Sequence, residues 1–148
     1  MMKAAIIYTS VTGNTSTLAD IICDTMNKHH IETDLIPVDE FHPEQLHNYD
    51  IVTVGTYSWD NGELPMEMEE VFEAFEEEEV KHITTGVFGT GDSFYPYYCG
   101  AVDIFRDMLY VHTNLAVTLK VELTPQDEDL HRCEKFCDRL ASEFAVVS

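Results

Sequence analysis

The chain has very little positive charge. Its 148 residues include only 8 Lys and Arg against 28 Asp and Glu, which gives a formal net charge of −20 at pH 7. Nucleic acids and anionic membrane surfaces are bound largely through Lys and Arg, so we expect the chain to bind neither. The excess of acid favours long-range attraction to a basic partner protein, although adaptation to salt would produce a similar composition.

Long apolar runs and paired cysteine motifs are also missing. The apolar run after Met1-Met2-Lys3 is too short for a signal-peptide core, and no stretch approaches the roughly 18 apolar residues of a membrane span. Cys133 and Cys137 lie at i and i+4 of a predicted helix, where small core residues fit better than metal ligands or a disulfide. The histidines have no ligand spacing such as HExxH. We therefore expect a cytoplasmic protein with reduced thiols and no metal site.

Apolar patterns along the chain alternate between those of strands and those of helices. Short apolar runs predict five strands, at residues 3–8, 31–38, 51–55, 84–88 and 115–123. Helical spacing predicts four helices, at residues 14–29, 64–78, 100–112 and 127–145, and one helical turn at residues 43–46. This alternation predicts one α/β domain over residues 1–148, a three-layer sandwich whose five-stranded parallel sheet has the order 2-1-3-4-5. The loops after the first, third and fourth strands would then form one site.

The loop after the first strand has the features of a phosphate site. It reads Ser10-Val11-Thr12-Gly13-Asn14-Thr15 and precedes a helix N-terminus, where backbone N–H groups and the helix dipole favour an anion. Gly13 would let the backbone approach a ligand closely. The loop has no Lys or Arg, which argues against a nucleoside triphosphate and favours a single terminal phosphate. An ordinary helix-capping turn is the alternative that this loop alone leaves open.

Two further loops carry aromatic residues that strand or helix packing does not explain. The loop over residues 55–65 holds the only tryptophan, Trp59, and the loop over residues 89–100 holds four aromatics in the five positions 94–98. Rings from two facing loops beside a phosphate site would form a slot for a flat ring system. The alternative is that Phe94, Tyr97 and Tyr98 pack onto neighbouring structure while only one aromatic faces the site, and we expect this of most of them.

In these three loops the chain resembles the flavodoxins, small electron carriers that bind FMN without a covalent link. The phosphate signature of that family, Thr/Ser-x-Thr-Gly-x-Thr, matches residues 10–15, and its ring-stacking Trp after Thr or Ser matches Ser58-Trp59. Its Gly-Asp-Ser-x-Tyr and Cys-Gly-Ala-Val-Asp segments match residues 91–95 and 99–103. The resemblance extends from the first strand to the last helix, and the uninterrupted fifth strand is similar to the short-chain branch. It implies the flavodoxin-like form of the fold.

The resemblance implies a role for each matching residue. Trp59 would stack on the inner face of the isoalloxazine ring and Tyr95 on the outer face, while the backbone of Asp60–Asn61 and Thr90–Ser93 would contact its polar edge. The side chains that would hold the phosphate, with the N–H groups of the loop, are Ser10, Thr12, Asn14 and Thr15. The complete set of FMN-binding residues predicted in this way is Thr9, Ser10, Val11, Thr12, Gly13, Asn14, Thr15, Thr56, Tyr57, Ser58, Trp59, Asp60, Asn61, Gly62, Gly89, Thr90, Gly91, Asp92, Tyr95, Tyr98 and Cys99.

The resemblance also implies a function. The protein would be a monomeric, low-potential carrier that moves single electrons from a basic NAD(P)H-dependent flavodoxin reductase to redox acceptor proteins, without a substrate of its own. Acidic residues near the ring would dock these partners, namely Asp60, Glu63, Glu67 and Asp92. A protein of charge −20 resists further negative charge on the flavin, which gives the low potential a physical reason.

Four other functions fit the sequence less well than this one. A flavoprotein that activates a ribonucleotide reductase subunit and a two-electron flavin reductase both stay open as alternatives. A phosphoacceptor receiver domain fits poorly, because Thr9-Ser10 and Gly55-Thr56 stand where it needs acidic residues. A non-redox acidic interaction module leaves Trp59 and Tyr95 unexplained.

Asp60 departs from the family pattern. Many members have Gly directly after the Trp, where a peptide bond flips when the flavin is reduced. A positive φ costs Asp roughly 1 kcal/mol more than Gly. We therefore predict weaker stabilisation of the one-electron-reduced flavin than in relatives with Gly, and we expect Asp60→Gly to increase it.

Overall fold

The computed structural model describes residues 2–59 and 61–147, and their strands form one parallel sheet. The strands are β1 (Lys3–Tyr8), β2 (Glu32–Pro37), β3 (Ile51–Tyr57), β4 (Thr84–Gly91) and β5 (Asn114–Glu122). Their order is β2-β1-β3-β4-β5, and every neighbouring pair is parallel. The predicted strand order is confirmed. The sheet changes winding direction between β1 and β3, which is where open α/β sheets bind ligands.

Four helices cover the two faces of the sheet. They are α1 (Asn14–Lys28), α2 (Glu69–Glu77), α3 (Gly100–His112) and α4 (Asp127–Val147). Ala4 and Ile6 of β1 pack in the core beneath α1 and α4, whereas Ala5 and Ile7 pack in the core beneath α2 and α3. Successive residues of β1 therefore need apolar side chains on both faces, which is why the strand appears in the sequence as a continuous apolar run.

Some element boundaries differ from those predicted. β3 continues to Tyr57 and β4 to Gly91, because the pairing continues through Thr56↔Gly89 and Tyr57↔Thr90. Backbone hydrogen bonds prolong a strand without needing an apolar run, so the sequence pattern ended too early. The predicted helix over residues 64–78 is replaced at its start by a short 3-10 turn, Met66–Met68, and α2 begins only at Glu69.

The 3-10 turns Val38–Glu40 and Pro43–Asn48 lie between β2 and β3.

The helices α1 and α4 contact each other through polar side chains. The His29 Nε2 atom at the end of α1 lies 3.0 Å from a Glu134 carboxylate oxygen and 3.6 Å from an Asp138 oxygen on α4. The four cysteines are buried and free. None of the helices in the described part of the chain combines the length and the apolar composition that crossing a membrane requires.

Candidate functional site

The loops after β1, β3 and β4 enclose a cleft of about 470 Å³ at the carboxyl edge of the sheet. This volume lies within the range of about 300–1,000 Å³ that is usual for small-molecule sites. The described residues that line the cleft include neither Lys nor Arg. They are Val11, Thr12, Asn14, Thr15, Tyr57, Ser58, Trp59, Thr90, Gly91, Asp92, Tyr95 and Leu123.

The loop between β1 and α1 is held in shape by its own hydrogen bonds. The Ser10 hydroxyl oxygen accepts hydrogen bonds from the backbone N–H groups of Gly13 and Ser16, each at 3.2 Å. Gly13 has a φ of +94°, a left-handed conformation that strains any residue with a Cβ. Ser10 therefore acts first as an acceptor that shapes the loop, and its hydroxyl proton is left to donate elsewhere.

Two further hydrogen bonds tie the start of α1 to the rest of the cleft. The hydroxyls of Thr15 and Thr90 lie 2.7 Å apart, and both side chains are buried. The Thr124 hydroxyl donates to the Asn14 carboxamide oxygen at 2.7 Å, which leaves the Asn14 NH₂ group for another acceptor. The cleft end of α1 is thus joined to β4 and to the segment that follows β5. The first N–H groups of a helix have no partner within it, so this end of the cleft suits an anion.

The loop after β3 packs tightly against the start of α3. Trp59 and Glu63 exchange two backbone hydrogen bonds of 2.8 Å, which close the loop. The Ser58 hydroxyl oxygen accepts a hydrogen bond from the Ala101 N–H at 2.9 Å. A Cβ atom on Gly100 would lie only 2.6 Å from the Gly62 carbonyl oxygen, so the two backbones approach as closely as glycine allows. The Trp59 ring is left 55% exposed at the cleft.

The loop after β4 contributes one aromatic ring to the cleft. Tyr95 lines it and is 62% exposed, and its N–H donates to the Asp92 carbonyl oxygen at 3.1 Å. The expectation that most of Phe94, Tyr97 and Tyr98 pack onto neighbouring structure is wrong, because only Tyr98 packs against the core. Phe94 and Tyr97 are 90% and 72% exposed, and neither lines the cleft.

Comparisons with known proteins agree with this geometry. The model of the family described as Flavodoxin matches residues 6–136. The chain belongs to the flavodoxin family. It is 40% identical over 140 residues to "Probable flavodoxin 1" of Bacillus subtilis strain 168, covering 92% of this chain and 88% of the relative. Flavodoxins bind FMN and transfer electrons, and they are not enzymes that turn over a substrate.

Solved flavodoxin structures share the whole fold. The crystal structure of oxidised flavodoxin 1 from Bacillus cereus superposes with a TM-score of 0.87 at 34% identity, covering 95% of this chain and 97% of that one. A short-chain flavodoxin associated with a bacterial microcompartment superposes with a TM-score of 0.92 at 27% identity, covering 100% of both chains. The resemblance to short-chain flavodoxins is therefore confirmed, and so is the flavodoxin-like fold.

Some residues of the predicted FMN set lie outside the cleft. Thr9, Ser10 and Gly13 line a separate groove beside β2, and Thr56 and Gly89 are buried within the sheet. Gly62, Tyr98 and Cys99 line a small adjoining cavity, and Asn61 is exposed on the loop. Asp60 lies outside the described residues. The remaining residues of the predicted set all line the cleft of this flavodoxin: Val11, Thr12, Asn14, Thr15, Tyr57, Ser58, Trp59, Thr90, Gly91, Asp92 and Tyr95.

Cys99 has a structural place beside the cleft. Its Sγ atom lies 3.9 Å from the Gly89 carbonyl oxygen, and the residue is buried at the start of α3 with a φ of +51°. Burial raises the pKa of the Cys99 thiol to about 11. The thiol is therefore protonated at neutral pH and acts as a small packing group rather than a nucleophile.

Sequence reasoning missed Leu123, which lines the cleft next to the end of β5. Its N–H donates to the Gly91 carbonyl oxygen at 2.7 Å, and its φ is +53°. The side chain is 48% exposed. The signal that could have identified it is positional, because every strand of a parallel sheet ends at the edge where the ligand binds.

Glu67 was predicted only as part of an acidic surface, yet its carboxylate is turned towards the edge of the sheet. One oxygen, Oε2, accepts hydrogen bonds from the Thr9 hydroxyl at 2.9 Å and from the Tyr57 hydroxyl at 2.7 Å. Partial burial opposes ionisation of Glu67, but these hydrogen bonds and one from its own N–H outweigh it and lower the pKa. Burial and the bond to Glu67 raise the pKa of Tyr57 to about 12.

Proposed function

We propose that this flavodoxin is a low-potential carrier of single electrons between a basic NAD(P)H-dependent reductase and redox acceptor proteins. One observation carries the proposal: a hydroxyl-rich loop at a helix N-terminus and two exposed aromatic rings line the same cleft, which has no lining Lys or Arg among the described residues. FMN has a phosphate at one end and a flat ring at the other, so the chemistry of the lining fits this cofactor. When bound, FMN supplies the one-electron redox chemistry.

The phosphate group would be held by neutral donors. Thr12 and Asn14 line the cleft with polar side chains, and the loop's N–H groups lie at the positive end of the α1 dipole. Ser10 would donate its remaining hydroxyl proton while it holds Gly13 in place. Thr15 is already bonded to Thr90, so its contribution would come chiefly through its backbone N–H.

The ring would lie between Trp59 and Tyr95. Aromatic side chains bury large areas and stack favourably on flat rings. Both side chains are exposed in the cleft, 55% for Trp59 and 62% for Tyr95, so each has a face available for contact. Gly91 and Asp92 also line the cleft, and their backbone groups would contact the polar edge of the ring.

The electrostatic environment supports a low reduction potential. The chain carries 28 Asp and Glu against 8 Lys and Arg, and Glu67 stays ionised beside the ends of β1 and β3. A phosphate that is held without a cation keeps its negative charge partly uncompensated. Each of these negative charges opposes adding another to the ring, so reduction becomes harder.

Partner docking would use the surface around the cleft. Phe94 lies in the loop after β4 next to Tyr95 and is 90% exposed, and Glu63 and Asp92, in the loops that form the cleft, supply negative charge. Such a surface would attract a partner with a basic rim, and the association rate would fall as salt rises. The four buried, free thiols are compatible with the reducing cytoplasm that we propose as its location.

The proposal is tested by titrating the purified apoprotein with FMN and then reducing the complex stepwise at controlled potential. We expect quenching of both the FMN and the Trp59 fluorescence on binding, followed by two separate one-electron steps. Failure to bind FMN would contradict the assignment of the cleft. Binding followed by a single two-electron step, with NAD(P)H oxidation in the absence of a partner, would instead support a two-electron flavin reductase.

Activation of a ribonucleotide reductase subunit is an alternative choice of acceptor for the same carrier. Electron delivery can be measured with a purified flavodoxin reductase as the donor. The two acceptors are the ribonucleotide reductase subunit and a general redox acceptor. We expect reduction of the general acceptor, with a rate that falls as salt rises. Delivery to the ribonucleotide reductase subunit alone would favour the specialised role.

A further inference from the structure

One carboxylate joins the bases of two cleft loops that are distant in sequence. Glu67 lies in the 3-10 turn before α2, and its Oε2 atom accepts from Thr9 and from Tyr57. Thr9 directly follows β1 and leads into the phosphate loop at residues 10–15, whereas Tyr57 ends β3 and leads into Ser58-Trp59. Thr9 is 58 residues away from Glu67 in the chain and Tyr57 is 10 residues away.

The same junction contains a direct backbone link. The Thr9 N–H donates to the Gly55 carbonyl oxygen at 3.0 Å, and the Thr9 side chain is only 6% exposed. Hydrogen bonds to an ionised acceptor are shorter and stronger than neutral ones, which fits the 2.9 Å and 2.7 Å distances to Glu67. A movement of either loop at its base would therefore strain its hydrogen bond to an oxygen atom that also holds the other loop.

We propose that Glu67 couples the two halves of the cleft, so that an anion bound by the phosphate loop strengthens binding of a ring beside Trp59. This inference rests on the proposed function, because it assumes that both halves bind parts of FMN. Glu67 lines neither half, so it acts as a positioning residue. Its contribution is a coupling between two sites, and such coupling is reciprocal.

The coupling can be measured on the apoprotein by dividing the cofactor into its two parts. Riboflavin supplies the ring without the phosphate, and inorganic phosphate supplies the anion. The dissociation constant of riboflavin is measured with and without saturating phosphate at constant ionic strength, using chloride to balance it. We expect phosphate to tighten riboflavin binding of the unaltered protein by about fivefold or more.

Three variants separate coupling from simple support of the fold. Glu67→Ala removes the shared acceptor, and we expect the effect of phosphate on riboflavin to fall to about twofold or less, with FMN bound about fivefold more weakly. Glu67→Gln keeps an oxygen acceptor without the charge. The effect of phosphate on its riboflavin binding should therefore lie between that of the unaltered protein and that of Glu67→Ala. Glu70→Gln makes the same charge change on an exposed residue of α2 and should match the unaltered protein.

The outcomes distinguish the inference from the proposed function. If the unaltered protein binds neither FMN nor riboflavin, the proposed function fails. If it binds FMN but riboflavin binding ignores phosphate, or if Glu67→Ala keeps the full effect of phosphate, the coupling is refuted while the carrier function stands. Equal weakening of riboflavin with and without phosphate would show that Glu67 merely supports the ring loop, which also refutes the coupling. Thermal unfolding of each variant verifies that it is folded.

Discussion

The close packing of the loop after β3 against α3 leads to a quantitative prediction for Gly62→Ala. Gly62 has a φ of +86°, and a Cβ there would lie 2.7 Å from the Tyr97 Cβ and 3.0 Å from the Tyr97 carbonyl oxygen. The left-handed conformation costs an Ala residue roughly 1–2 kcal/mol. Overpacking against neighbours that include backbone atoms adds about 1–3 kcal/mol. We expect the free energy of unfolding to fall by about 3 kcal/mol.

Two matched variants separate these contributions. Gly13 also has a positive φ, +94°, but a Cβ there would meet nothing within 4 Å, so Gly13→Ala should cost only the roughly 1–2 kcal/mol of conformational strain. Gly100→Ala tests the contact alone, because a Cβ there would lie 2.6 Å from the Gly62 carbonyl oxygen while Gly100 itself is in α3. Ala favours a helix more than Gly does, so a loss of stability at Gly100 would have to come from the contact.

The assay is thermal and urea unfolding of the apoprotein. For a chain of this size, 1 kcal/mol corresponds to a shift in Tm of about 2–4 °C, so Gly62→Ala should unfold roughly 9 °C earlier and Gly13→Ala roughly 4 °C earlier. Equal losses for the two variants would refute the argument. They would mean that the loop yields without cost and that its close packing against α3 does not fix the position of Trp59.

Four more predictions concern single residues. Thr90→Val leaves the buried Thr15 hydroxyl without its 2.7 Å partner and should cost about 1–3 kcal/mol in urea unfolding, part of which the double variant with Thr15→Val should restore. Trp59→Ala should weaken FMN binding about tenfold in a flavin-fluorescence titration, whereas Phe94→Ala, at a 90% exposed residue that does not line the cleft, should leave it unchanged. Burial and the hydrogen bond to Asp34 raise the pKa of Tyr49 from 10.0 to about 12. The contribution of Tyr49 to stability should therefore be intact below pH 10 and lost as the pH rises to 12. Over this pH range the urea midpoint should fall less in Tyr49→Phe than in Tyr110→Phe. Asp60→Gly should raise the yield of one-electron-reduced flavin in a potentiometric titration, and an unchanged yield would contradict the role predicted for Asp60.

The sheet and its order were predictable because both faces of the strands are covered. Ala4 and Ile6 pack in one core and Ala5 and Ile7 in the other, so every residue of this segment must be apolar. The composition of the three loops was equally visible, since polar donors and an isolated Trp59 have no role in a core. These features are local, and a local pattern is what a single sequence records.

The missed features depend on contacts between distant segments. Glu67 looks like any other acidic residue until the fold brings Thr9, which lies 58 positions earlier, to its carboxylate. Leu123 has no motif, and only its place beyond β5 brings it to the cleft. The ends of β3 and β4 were underestimated because their last residues are held by backbone pairing rather than by apolar side chains.

The hydrogen bonds around the phosphate loop explain how a site without cations could bind an anion. Ser10 accepts hydrogen bonds from the Gly13 and Ser16 N–H groups and so holds the loop in shape, and two side-chain bonds, with Thr90 and Thr124, fix the start of α1. Since the loop is ordered before the ligand arrives, binding costs little conformational entropy, and dipoles that need no reorientation can replace a formal positive charge. A Lys in this loop would bind phosphate more strongly, but its charge would also ease reduction of a nearby ring. The absence of Lys and Arg from residues 10–15 and the order of the loop would therefore both serve the low-potential site that we propose.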